Sequence, residues 1–212
     1  MDRKRLFIKR KTNNIERSEI VKWAAGNGYD TLVFSLDDKF FKSKRGKYIK
    51  LIKKYTLNIE AGGNDFSLLI PRRMFFFHRG LFRMEHGRRK PSPHFCPTNP
   101  KTTSVISENA HTLFTNSIKS LTVPRIFHLL PDKGMEYVWC ACPACRAFSP
   151  YEQYIIAVNS AADVLAKIDP DARLAFYNFT EGPDAPRPHE GVKPRSNTLG
   201  ISEKSNSKVG II

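Results

Sequence analysis

Long loops in this chain follow predicted strands, whereas the joints that lead from helices into strands are only a few residues long. That asymmetry narrows the fold sharply, because parallel β/α architectures collect their long loops at one end of the sheet. Ser18 suits the cap of a helix with Ile20, Val21, Trp23 and Ala24 on one stripe, and Gly26 or Gly28 ends it before a strand over 31–36. A second helix over 46–54 sets Tyr48, Leu51, Ile52 and Tyr55 on one side and runs almost directly into a strand over 56–60. About forty residues rich in Gly, Pro, Arg and Phe separate that strand from the next helical period. The period starts near Thr102 and is carried by Val105, Ile106, Asn109, Ala110, Leu113 and Phe114, with a strand over 123–130 behind it.

A second long loop spans 131–148, and Ser149-Pro150-Tyr151-Glu152 then opens a helix with three signals together. Ser is the cap, Pro takes the first helical position, and Glu reaches back from three residues on. Its core face is Ile155, Val158, Ala162 and Leu165, and Asp169-Pro170-Asp171 turns the chain into a strand over 173–179. Four strands alternating with helices predict right-handed crossovers and a parallel sheet. The expected fold is therefore α/β, a partial (β/α)8 barrel of the TIM type with parallel strands and long βα loops. Residues 1–182 form the barrel domain in this reading, and residues 183–212, rich in Pro, Ser, Asn, Lys and Gly, form an extended or disordered tail. Open sheet edges in such a fragment invite self-association.

The net charge is +15, with +9 over residues 1–60, +6 over residues 72–90 and −3 over residues 131–181. Most basic residues fall on the polar sides of helices, without the aromatic interleaving of a nucleic-acid groove, so the charge reads as a solvated surface that also suits acidic sugars. No apolar run approaches the ~20 residues that span a bilayer. The first ten residues hold three consecutive apolar side chains before charge resumes, too few for a signal peptide, and the expected location is cytoplasmic.

Three of the four cysteines lie in Cys140-Ala141-Cys142-Pro143-Ala144-Cys145, and Cys96 lies in the earlier long loop. Both loops leave the same predicted end of the sheet, so Cys96, Cys140, Cys142 and Cys145 are candidate ligands of a structural zinc, with His94 or His128 able to replace one of them. A disulfide or redox pair and unligated thiols are the alternatives. Glycoside hydrolysis needs two carboxyl groups about the scissile bond. Glu60 and Asp132 are the candidate pair at strand ends, with Asp37, Asp38 and Glu181 as further acids. Gly62-Gly63 lets backbone approach a ligand beside Glu60. His128, Trp139 and Tyr177 suit a sugar site, aromatic face to pyranose and polar atom to hydroxyl, and Arg72 suits a substrate carboxylate.

Several stretches together resemble the bacterial domain-of-unknown-function family 4838, a family similar to α-glucuronidase and hexosaminidase-type barrels. They are Ile59-Glu60-Ala61-Gly62-Gly63, Leu69-Ile70-Pro71-Arg72, Leu81-Phe82-Arg83-Met84, Phe95-Cys96-Pro97-Thr98-Asn99-Pro100, Trp139-Cys140-Ala141-Cys142-Pro143-Ala144-Cys145 and Gln153-Tyr154. Family members are generally much longer, so the resemblance implies a truncated member. It also implies a β/α barrel and glycosidase-like chemistry on carbohydrate. Two other functions fit the same residues: a non-catalytic, metal-stabilised carbohydrate-binding protein, and a basic zinc-containing nucleic-acid-binding protein.

Overall fold

Along residues 58–63, Ile59 and Ala61 alternate with Glu60 and Gly62, so one face is apolar and the other carries a charge. The computed structural model describes residues 3–8, 14–38, 46–63, 66–91, 94–131, 138–178, 192–202 and 210–211. In chain order its strands are β1 (Arg5–Ile8), β2 (Thr31–Phe34), β3 (Asn58–Gly63), β4 (Met84–Glu85), β5 (Arg88–Arg89), β6 (Ile126–Leu129), β7 (Arg173–Asn178), β8 (Thr198–Ser202) and β9 (Gly210–Ile211). The α-helices are α1 (Asn14–Gly26), α2 (Gly46–Lys54), α3 (Phe66–Leu69), α4 (Pro100–Ile118) and α5 (Pro150–Ile168).

Seven strands form one sheet in the order β8-β7-β6-β3-β2-β1-β9. Every neighbouring pair in it is parallel. Apart from β9, which lies against β1, spatial order follows chain order, as right-handed β/α units require. The architecture is that of a partial β/α barrel. The antiparallel hairpin β4–β5 sits inside the long β3–α4 connection.

Leu6, Ile8, Leu32, Phe34, Ile59, Ala61, Phe127, Leu129, Leu174 and Phe176 share the main core with Val21 and Ala24 of α1, Ile106 and Phe114 of α4, and Ile155, Val158 and Leu165 of α5. The opposite face holds a separate small cluster of Ile126, Leu130, Ala175 and Ile201, packed on by Phe7 and Tyr177. Strand alternation thus sends odd and even side chains to a helix-covered face and to the inner face of the barrel wall.

The expected capping box is present. Glu152 N–H donates to Ser149 Oγ at 3.2 Å, and Ser149 N–H donates to the Glu152 carboxylate at 2.7 Å. Helix α4 starts two residues before Thr102, because Asn99 accepts from Lys101 N–H at 3.0 Å and Pro100 takes the first helical position. Two differences from expectation lie at the chain ends. Arg5–Ile8, read from sequence only as a basic start, is strand β1. Within the stretch expected to be tail, Thr198–Ser202 is extended and joins the sheet beside β7, and the buried Asn197 amide donates to Ala162 O at 2.9 Å.

Tyr154 ties α5 to this sheet. Its hydroxyl donates to Leu129 O at 2.7 Å and accepts from Tyr177 N–H at 2.7 Å. Burial raises the phenol well above its ordinary value, which keeps the donor proton in place. Tyr154→Phe removes the hydroxyl from both partners and should cost about 2 kcal/mol in urea unfolding, whereas a loss below about 0.5 kcal/mol would contradict this role.

Candidate functional site

Glu60 projects from β3 onto the inner face and is fully buried. Arg3 Nη1 donates to its Oε1 at 2.9 Å, Arg5 Nε donates to Oε2 at 2.8 Å, and His128 Nε2 meets the same Oε2 at 2.6 Å. One carboxylate therefore joins the β1 segment, β3 and β6. The strands come this close because residue 62 is glycine. Gly62 pairs with His128 in register at φ +113°, and a Cβ there would collide with the His128 carbonyl oxygen.

Burial pushes the Glu60 carboxyl up, but the hydrogen bond and attraction of His128, followed by those of Arg5, outweigh it and lower the group from 4.5 to about 2. Glu60 is thus an ionised acceptor at neutral pH. An ionised carboxylate has no proton to give, so His128 Nε2 is the donor in their bond. The His128 ring stands edge-on to Phe7, with centroids 5.3 Å apart, and its Nδ1 is buried with no hydrogen-bond partner among the described residues. Tyr177 lies on the same inner face, beside Ala175 and Ile201.

The remaining candidates are dispersed. Trp139 is buried, stacked on His94 with centroids 4.5 Å apart and edge-on to Phe66 and Phe95, so its ring packs in the core instead of offering a face to a sugar. Arg72 is exposed on a 3₁₀ turn after α3, away from Glu60's ion pairs. Asp38 is buried against Arg17 of α1 at 2.9 Å, and Asp37 accepts from Ser35 at 3.0 Å. Asp132 and Glu181 lie outside the described residues. Sequence reasoning overlooked Arg3 and Arg5. Charge balance alone could have pointed to them, since a buried Glu requires cations and the first five residues supply both.

The two long loops meet at the cysteines. Cys96, Cys140, Cys142 and Cys145 are all buried, with their sulfurs within 4.8 Å of one another. Cys96 Sγ is 3.6 Å from both Cys142 Sγ and Cys145 Sγ. Tetrahedral zinc with Zn–S bonds near 2.3 Å needs sulfur separations of about 3.8 Å, so the four donors fit such an ion. Met84 N–H donates to Cys140 Sγ at 3.2 Å, Arg89 Nη1 lies 3.6 Å from that sulfur, and Thr98 Oγ1 lies 3.1 Å from Cys145 Sγ. Hydrogen bonds from Cys140 and then Cys145 hold the Cys96 thiol far below its ordinary range, while bonds to Cys140 and Cys96 push Cys145 up. A cation among the four sulfurs would replace those shared protons.

Gln153, one residue from Tyr154 on α5, fixes this loop. Its Oε1 accepts from Cys140 N–H at 3.0 Å, and its Nε2 donates to Cys140 O at 3.1 Å and Cys145 O at 3.2 Å. The signal for it in sequence is its place in the first turn of a strongly capped helix, directly after the cysteine string.

No protein-family model and no curated protein matches the chain. Among solved structures it resembles the tandem GH20 catalytic modules of the pneumococcal exo-β-D-N-acetylglucosaminidase StrH, with a TM-score of 0.59 at 11% identity, over 94% of this chain and 59% of that one. A second StrH structure, from work on N-glycan recognition and hydrolysis, gives a TM-score of 0.57 at 11% identity, over 95% and 58%. The chain spans less than two thirds of these structures. At this identity the likeness shows the fold alone, part of a β/α barrel. No helix among the described residues is long and apolar enough to cross a membrane.

Because its carboxyl is lowered on folding, Glu60 contributes stability that is complete above pH 4.5 and is lost as pH falls toward 2. The size is roughly 3 kcal/mol. Glu60→Gln should therefore lower stability at pH 7 and flatten its decline between pH 4.5 and 2 in denaturant titrations. An unchanged acid profile would contradict the ion cluster.

Proposed function

We propose that this chain is a carbohydrate-active, glycoside-hydrolase-like protein of family 4838, with its sugar site at the carboxyl ends of β3, β6 and β7. The observation that carries this reading is the bonded Glu60–His128 pair on the inner face of the barrel wall, below both long loops. β/α barrels place their chemistry on that side, and the likeness to GH20 modules supports the same class. Glu60 serves as the ionised carboxylate of the site, holding His128 by its Nε2 proton so that Nδ1 is the face offered to a hydroxyl. Proton transfer to a leaving oxygen falls to Asp132, the acid that follows β6 by three residues. Tyr177 contributes a sugar contact from the end of β7, and Glu181, which follows that strand in sequence, is the further acid of the site.

Four thiolates hold a structural zinc that clamps the β3–α4 loop to the β6–α5 loop, and four closely spaced thiols suit a reducing compartment such as the cytoplasm. A non-catalytic carbohydrate-binding role is the second reading. It draws support from the occupied oxygens of Glu60.

Chromogenic N-acetylglucosaminides and glucuronides, assayed with the wild type and Asp132→Asn, separate the two. Turnover that falls by about 10³-fold or more in the variant with ligand binding retained supports catalysis. Ligand binding without turnover in either protein supports the second reading, and absence of both overturns the carbohydrate assignment. Purified chain should also carry one zinc by elemental analysis. Its removal should lower the thermal midpoint by about 10 °C, since metal a thousandfold above its Kd stabilises by about 4 kcal/mol. A metal-free protein with an unchanged midpoint in Cys96→Ser would contradict the clamp.

A further inference from the structure

After α3 the chain makes a 3₁₀ turn over Arg72–Phe76, and Phe75, Phe76 and the capping Phe77 are three consecutive phenylalanines. They do not share one fate. Phe75 is partly buried edge-on to Phe82, with centroids 5.3 Å apart, and anchors the turn to the core. Phe76 and Phe77 are 80% and 85% exposed. The turn is nevertheless ordered by its own backbone: Met74 N–H donates to Pro71 O at 2.9 Å, His78 N–H to Met74 O at 2.8 Å, and Leu81 N–H to His78 O at 3.1 Å. Asn99 Nδ2 ties the following residue pair down through Gly80 O at 2.9 Å.

Two adjacent aromatic rings fixed in water forfeit the transfer free energy of burial and form an apolar patch of the kind that marks a binding surface. Cations surround it. Arg72, Arg73 and Arg79 are exposed, and the threefold period of the turn sets Arg73 over Phe76. Among the described residues no carboxylate pairs with Arg72, Arg73 or Arg79. Residues 72–90 hold seven basic residues and one acidic one.

We infer that this turn binds a carboxylate-bearing polysaccharide, a polyuronate, outside the barrel mouth. Phenylalanine faces match pyranose rings, and guanidinium groups match carboxylates by paired hydrogen bonds, so alternating ring and charge along one polymer meets both features at once. A second copy of this chain is a poorer occupant, because 35 basic against 20 acidic residues give like-charged surfaces. The turn lies on the β3–α4 connection, which opens at the carboxyl end of the strand that carries Glu60. The inference takes its ligand class from the carbohydrate reading proposed above but needs no turnover.

Affinity electrophoresis of the full chain in gels containing polygalacturonate, dextran sulfate or neutral dextran tests it, together with flotation on phosphatidylglycerol vesicles. Polygalacturonate should retard the wild type and neutral dextran should not. Phe76→Ala/Phe77→Ala and Arg72→Gln/Arg73→Gln should each weaken polygalacturonate binding by about tenfold or more without moving the melting curve, since all four side chains are exposed. Polygalacturonate retardation that is indifferent to the two phenylalanines overturns the inference, as does binding to dextran sulfate alone or to vesicles alone. Failure of the glycoside assays with this binding intact would sink the catalytic reading and leave the polyuronate surface standing.

Discussion

A carboxylate shielded from water holds the inner face of this sheet together. Glu60 takes hydrogen bonds from Arg3, Arg5 and His128, which come from opposite ends of the first 130 residues. A buried Glu on its own would carry a large desolvation cost and would protonate. Three donors reverse that outcome and keep the group ionised. The same bonds fix the spacing of β1, β3 and β6, and they work only because Gly62 lets β3 approach the backbone at His128. Removing one partner leaves the others buried beside an unmatched charge, so the cluster is sensitive to any single change within it.

Around that centre the molecule is organised by its two long loops. Both begin at carboxyl ends of strands, and the cysteines bring them together at four sulfurs. Gln153 then binds the cysteine loop to the start of α5, while the next residue, Tyr154, binds the ends of β6 and β7. One helical turn thus carries the geometry of the loop layer into the geometry of the sheet. Trp139 and His94 fill the space between the two levels as a stacked pair.

Local signals were legible in sequence wherever the cause is itself local. The capping box at Ser149 and Glu152, the helix over 46–54 and the parallel arrangement from helix-strand alternation all rest on short spacings. The meeting of Cys96 with the later cysteines was legible too, because it follows from both loops leaving one end of the sheet. What depends on distant partners was not. Arg3 and Arg5 read as solvated charge, since their partner lies 57 and 55 residues on. Strand β1 was obscured by those same charges, and β8 by polar company in a stretch poor in periodicity. Trp139 read as a sugar platform because composition cannot distinguish an aromatic ring facing solvent from one packed under a loop.

The inner face of the sheet rests on the ionised Glu60 accepting from His128 Nε2. Long-range ¹H–¹⁵N NMR on histidine-labelled protein at neutral pH reads this directly. The ion cluster predicts a His128 proton on Nε2, shifted downfield and protected from water, and loss of that resonance in Glu60→Gln. A His128 ring protonated on Nδ1 alone, or one exchanging freely with water, would contradict it.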